Sequence, residues 1–134
     1  MDKVVLDTNI FLVSISSKSK YHWIFSNLIN GKYILCVTTD ILAEYAEVIG
    51  NNMGYLASEN ALMVLENLPN VQLVTTYFKF GLLKDDDDNK FVDCAIACNA
   101  SYIVTHDKDF NLLKNLSFPK LLAINIEQFT KFSK

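Results

Sequence analysis

The sequence predicts an α/β protein: a three-layer α/β/α sandwich around a central, mainly parallel sheet of about five strands. Three observations predict it. Along the 134 residues, short apolar runs and helical stretches follow one another in the order strand, helix, strand, two helices, strand, helix, strand, helix, strand, helix. The runs are continuous rather than alternating apolar and polar, as a parallel sheet covered on both faces requires. No linker, repeat or Pro/Gly-rich tract divides the chain, and its length suits one domain, 1–134, with a sizeable core.

Each element has a local cause. Lys3–Leu6 is a β-branched run ended by the polar Asp7-Thr8-Asn9. Tyr21–Leu28 carries Trp23, Ile24 and Leu28 at helical spacing, continued by Ile29, and Gly31 is a natural stop. Tyr33–Val37 reads as a buried strand. Thr39-Asp40 offers a cap for a helix through about Val48, closed by Gly50. Tyr55–Leu68 is helical by pattern, and Pro69-Asn70 turns the chain into a strand at Val71–Val74. Asp85–Asp88 precede a helix from Asn89 to about Ala100. A strand at Tyr102–Thr105, a short helix at Phe110–Leu116, a strand at Leu121–Ile124 and a last helix at Ile126–Phe132 complete the chain.

Composition excludes several classes. Hydrophobic residues make up 51%, too many for a disordered chain. All 12 basic residues are lysines against 15 acids, a net charge of −3, so the chain is not a nucleic-acid binder that works by charge alone. Cys36, Cys94 and Cys98 form no closed disulfide set and no metal spacing, and read as buried reduced thiols of a cytoplasmic protein. Asp7 and Asn9 interrupt the apolar N-terminus and no basic stretch precedes it, so neither a signal peptide nor a membrane span is expected.

The informative residues are carboxylates in awkward places. Asp7 and Asp107 each follow a strand, at the carboxyl edge where α/β sheets gather their chemistry. A turn or cap aspartate is the plainer reading of either alone; two at matching strand ends point to a site. Glu44 lies on the border of the apolar side of its helix, placed to reach inward, whereas Glu47 points toward solvent. Asp93 sits in Phe91–Cys98, apolar almost all round, where an unpaired carboxylate is costly. It needs either Lys90, three residues back, or a metal shared with other acids. Asp88 with Asn89 reads first as a helix cap and second as an accessory metal contact. His22 reads as structural, and His106 beside Asp107 as a weak substrate-contact candidate. No GxGxxG, P-loop or GxSxG motif is present.

Together Asp7, Glu44, Asp93 and Asp107 make an all-oxygen, negative cluster that repels itself unless a hard cation joins it. Mg²⁺ and Mn²⁺ prefer such ligands. A site of this kind suits hydrolysis of a phosphodiester, by activating a water and neutralising charge on the transition state. Thr8, Asn9 and Thr105 are placed to hold ligands or water by hydrogen bonds.

Three blocks in order carry a family resemblance: Val4-Val5-Leu6-Asp7-Thr8-Asn9-Ile10-Phe11, Ile41-Leu42-Ala43-Glu44-Tyr45, and Asp88 to Phe110 with Val92-Asp93 and Ile103-Val104-Thr105-His106-Asp107-Lys108-Asp109. Over nearly the whole chain the pattern resembles the PIN-domain family of metal-dependent ribonucleases, most of all the toxin–antitoxin subgroup related to VapC-type toxins. The resemblance implies a Mg²⁺- or Mn²⁺-dependent endoribonuclease with Asp7, Glu44, Asp93 and Asp107 as its acids. It further implies an RNA substrate, a homodimer, and a cognate antitoxin that blocks the site. Asp88 competes with Asp93 for the third position, and Asp109 with Asp107 for the fourth. His106 stands where the family more often has glycine or arginine.

Two other readings compete. A catalytically silent RNA- or protein-binding domain would not need all four acids. An aspartyl phosphotransferase also places Asp after its first strand but usually has a second acid two residues on, where this chain has Asn9. The charge balance does not oppose a nuclease: assigning four of the 15 acids to a metal site leaves 11 against 12 lysines, a formal +1. With no arginine, substrate affinity should depend more on divalent metal than on monovalent salt.

Overall fold

The structure is a computed structural model that describes every residue except Phe118, Pro119 and Lys134, with the side chain of Ser133 also left aside. Five strands, β1 (Lys3–Leu6), β2 (Ile34–Val37), β3 (Val71–Leu73), β4 (Tyr102–Val104) and β5 (Leu122–Ile124), form one all-parallel sheet in the order β3-β2-β1-β4-β5. In the central strand Val4, Val5 and Leu6 are each 0% exposed. Successive strand residues face opposite sides, so both faces of the sheet are covered, and this is why the strands read as unbroken apolar runs.

β1 is flanked by β2 on one side and β4 on the other. The strand order therefore reverses at β1/β4, and a crevice opens outside the carboxyl ends of these two strands. Asp7 directly follows β1, and Asp107 stands three residues beyond β4.

Six α-helices and one 3₁₀ helix surround the sheet among the described residues. The first, α1 (Thr8–Ile15), was not expected from the sequence. Its eight residues are rich in β-branched and hydroxyl side chains, poor helix formers, and burial of Ile10, Phe11 and Ser14 overrides that propensity. After α2 (His22–Ile29), α3 (Thr39–Met53) is capped by Thr38, whose Oγ1 accepts the Ile41 N–H at 3.1 Å. It runs straight through Gly50, the expected stop, and ends at Gly54, whose φ of 94° suits glycine. At Gly50 a Cβ would stand 3.8 Å from Ser58 Cβ on α4 (Tyr55–Asn67), an ordinary contact between packed helices.

Helix α5 (Asp86–Cys98) packs on β1, β2 and β4. Its cap is Asp85, which accepts the Asp87 N–H at 3.0 Å, rather than Asp88. Asp86, Asp87 and Asp88 thus lie in the first turn, favoured by the helix dipole. The helix closes at Asn99 in the left-handed region, φ 57°. The 3₁₀ helix covers Lys108–Asn115, and α6 (Ile126–Ser133) seats Phe129 against Trp23, Tyr33 and Tyr102. The three cysteines are buried and free. No described helix is long and apolar enough to cross a membrane.

Candidate active site

Asp7 occupies the N-cap position of α1 without capping it through its side chain. The carboxylate turns instead across the sheet edge, where Oδ2 accepts the Thr105 hydroxyl at 2.7 Å. The same Thr105 oxygen accepts the Asp107 N–H at 3.0 Å, and Asp107 Oδ1 accepts the Asp109 N–H at 2.9 Å. One buried hydroxyl thus ties the acid after β1 to the turn after β4. On the other side, Glu44 projects from α3: Thr8 donates its hydroxyl to Oε2, and Lys90 Nζ stands 2.6 Å from Oε1. Next to it, Tyr45 stacks on Phe11 at 4.5 Å and donates its hydroxyl to Leu6 O at 2.5 Å, which fixes α3 against the end of β1.

These residues line a cleft of about 550 Å³, with Asp7, Thr8, Asn9, Glu44, Asp88, His106 and Asp107 supplying its polar wall. Carboxylate oxygens of Asp88, Asp107 and Asp109 lie within 4.8 Å of one another. Burial, then the charges of Asp107, Asp85, Asp7 and Asp109, push the Asp88 carboxyl up to about 6. Burial also raises Asp7, against the lowering effect of its bonds to Thr105 and the Thr8 backbone, while Glu44 and Asp107 raise it further. A set of oxygen donors whose charges oppose one another fits a hard divalent cation, which relieves that repulsion.

Asp93 lies elsewhere. It is 7% exposed, accepts the Phe80 N–H at 3.1 Å, and lines a second cavity of about 350 Å³ together with Thr38, Thr76, Lys79 and Lys90. Five residues on a helix turn a side chain by roughly 140°, so with Asp88 facing the cleft Asp93 faces away from it. Its partner in the structure is that loop amide rather than Lys90, and it stands outside the group formed by Asp88, Asp107 and Asp109. Lys90 is instead the ion-pair partner of Glu44. Sequence reasoning missed that role, although a lysine on a largely buried helix of an arginine-free chain signals a need for an acid. His106 lines the cleft, and its Nε2 accepts the Ile126 N–H at 3.4 Å.

Comparison with known proteins bears on the family and the fold. The family model described as PIN domain matches residues 3–109. An uncharacterized protein of Methanocaldococcus jannaschii is 30% identical, over 97% of this chain and 93% of its own. Among solved structures, VapBC2 from Rickettsia felis, bound to a DNA fragment from its promoter, superposes with a TM-score of 0.64 at 20% identity, covering 92% of this chain and 98% of that one. VapC20 from Mycobacterium tuberculosis, described as a sarcin–ricin-loop-cleaving toxin, gives 0.57 at 16% identity, covering 81% and 92%. At such identities the structural likenesses are likenesses of fold.

Proposed function

The chain belongs to the PIN-domain family, and on that premise we propose that it is a divalent-metal-dependent endoribonuclease. The single observation that carries the reading is the acidic cleft at the β1/β4 crossover, where Asp88, Asp107 and Asp109 approach within 4.8 Å and Asp7 and Glu44 share the wall. In this reading Asp7, Asp88 and Asp107 hold the ion, Mg²⁺ or Mn²⁺, and Asp109 supports them. Asp88 takes the place that Asp93 was expected to fill. When bound, the ion supplies charge neutralisation for the phosphodiester and a more acidic water.

The chain's own residues do the rest. Thr105 holds Asp7 and the backbone of Asp107 in one geometry, so two ligands arrive already oriented. Both oxygens of Glu44 are engaged, by Thr8 and Lys90, which suits it to orient the attacking water rather than bind the ion. Asn9 and His106, exposed on the cleft wall, are left to meet the substrate. Toxin activity within a toxin–antitoxin pair, blocked by an antitoxin, is the finer reading. It is supported by VapBC structures among the neighbours. A homodimer, a cytoplasmic location and a single domain over 1–134 complete it.

The test is incubation with a pool of cellular RNA, with and without Mn²⁺, comparing wild type with Asp7→Asn and mapping the cut ends. Cleavage is expected only for wild type with metal. Equal cleavage by Asp7→Asn, or cleavage in chelator, overturns the reading.

A further inference from the structure

We propose that the loop 75–84, which follows β3, is a stacking platform for single-stranded RNA beside the candidate active site; this deepens the nuclease reading and rests on it. The loop carries three aromatic side chains within four positions, and all three are open to solvent: Tyr77 is 85% exposed, Phe78 74% and Phe80 40%. Isolated exposed apolar residues need no explanation, but a cluster of large rings marks a binding surface.

Charge selects the partner. From Val74 to Lys84 the chain has no acidic residue and two lysines, Lys79 and Lys84, within a protein of net charge −3. Rings interleaved with cations match the faces of bases joined by phosphates. The large apolar side chains that the loop exposes are all aromatic, since Leu83 is buried and Leu82 partly so.

The loop is also held in place. Phe80 N–H binds Asp93; Leu83 N–H donates to Asn89 Oδ1 at 2.9 Å, and Asn89 Nδ2 donates back to Leu83 O at 3.1 Å. Both anchors belong to α5, one and five residues beyond Asp88, so the points that hold the loop lie about 1.5 and 7.5 Å from Asp88 along the helix axis. The buried Asp93 thus has a use: it orients the loop. Lys90 joins the two regions, pairing with Glu44 while lining the cavity under the loop. Asp40, Asp86 and Asp87 line that cavity too and repel phosphate. The strand is therefore held on the outer ring faces and not within the cavity.

The test uses the full chain in EDTA and a fluorescein-labelled single-stranded oligoadenylate, read by anisotropy. Tyr77→Ala/Phe78→Ala is expected to bind on the order of tenfold or more weakly, Tyr77→Phe like wild type, and both variants to keep the wild-type Mn²⁺ affinity by calorimetry and the same circular dichroism. Equal RNA affinity of wild type and the double variant overturns the platform, as does an absence of wild-type binding. A change in self-association by light scattering with RNA affinity untouched overturns it in favour of a protein-docking surface. The RNA-pool assay separates the two readings: wild-type cleavage with ring-independent binding sinks the platform alone. Ring-dependent binding without metal-dependent cleavage sinks the nuclease alone.

Discussion

Lys90 Nζ lies 2.6 Å from Glu44 Oε1, and the pair joins α5 to α3 at the rim of the acidic cleft. Among the described residues, the one lysine paired with the cluster is therefore committed to its member on α3. Lys90→Met should remove a positive charge next to the cation site, and Mn²⁺ should bind several-fold more tightly by calorimetry. Cleavage should fall even so, because Glu44 loses one of its two tethers. The pair is only part-buried, so the loss of stability without metal should stay within about 1 kcal/mol. Weaker Mn²⁺ binding in this variant would contradict the charge argument.

The raised carboxyls give a pH dependence whose sign is unusual for acids. Asp88 titrates near 6 in the folded protein against an ordinary 3.8, so between these values the folded state holds more protons than the unfolded one. Stability without metal then falls as pH rises through that window and is greater on its acidic side. Melting temperatures in EDTA should show this slope, and Asp88→Asn should flatten it. Saturating Mn²⁺ should reverse it, because the ion binds the deprotonated cluster.

Thr105 is the hinge of the ligand geometry, since its hydroxyl donates to Asp7 and accepts from the Asp107 amide. Thr105→Val keeps the shape and removes both bonds. The part-buried Asp107 N–H then loses its acceptor, at roughly 0.5–1.5 kcal/mol by denaturant unfolding. Asp7 loses a bond that lowers its pKa, so Mn²⁺ affinity should drop about 10- to 100-fold and its pH threshold move upward.

Much of this was legible in the sequence because the signals were strong and local. β1 and β4 end in polar residues after unbroken apolar runs, and that alone placed Asp7 and Asp107 at one sheet edge. Helix α1 was hidden because tertiary burial, not propensity, forms it. Gly50 misled because a glycine inside a packed helix and one that ends it look alike without φ. The proposed choice of Asp88 over Asp93 rests on where α5 begins. Capping by Asp85 rather than Asp88 puts Asp88 inside the first turn, facing the cleft. The aromatic loop carries no periodic signal, and its meaning comes from the anchors that Asn89 and Asp93 provide.

The two rival acids separate cleanly by substitution. Asp88 lines the cleft and Asp93 accepts a loop amide, so the two respond differently to losing charge and to losing an acceptor. Asp88→Asn should lower Mn²⁺ affinity about tenfold or more while leaving the fold intact. Asp93→Asn keeps an oxygen acceptor for the Phe80 N–H and should retain Mn²⁺ affinity and cleavage. Asp93→Ala removes that acceptor, should cost about 1–3 kcal/mol of stability, and should weaken RNA binding by freeing the loop while Mn²⁺ affinity stays near wild type. Calorimetry on the three variants decides the assignment: if Asp93→Asn loses the ion and Asp88→Asn keeps it, the ligand set proposed here is wrong.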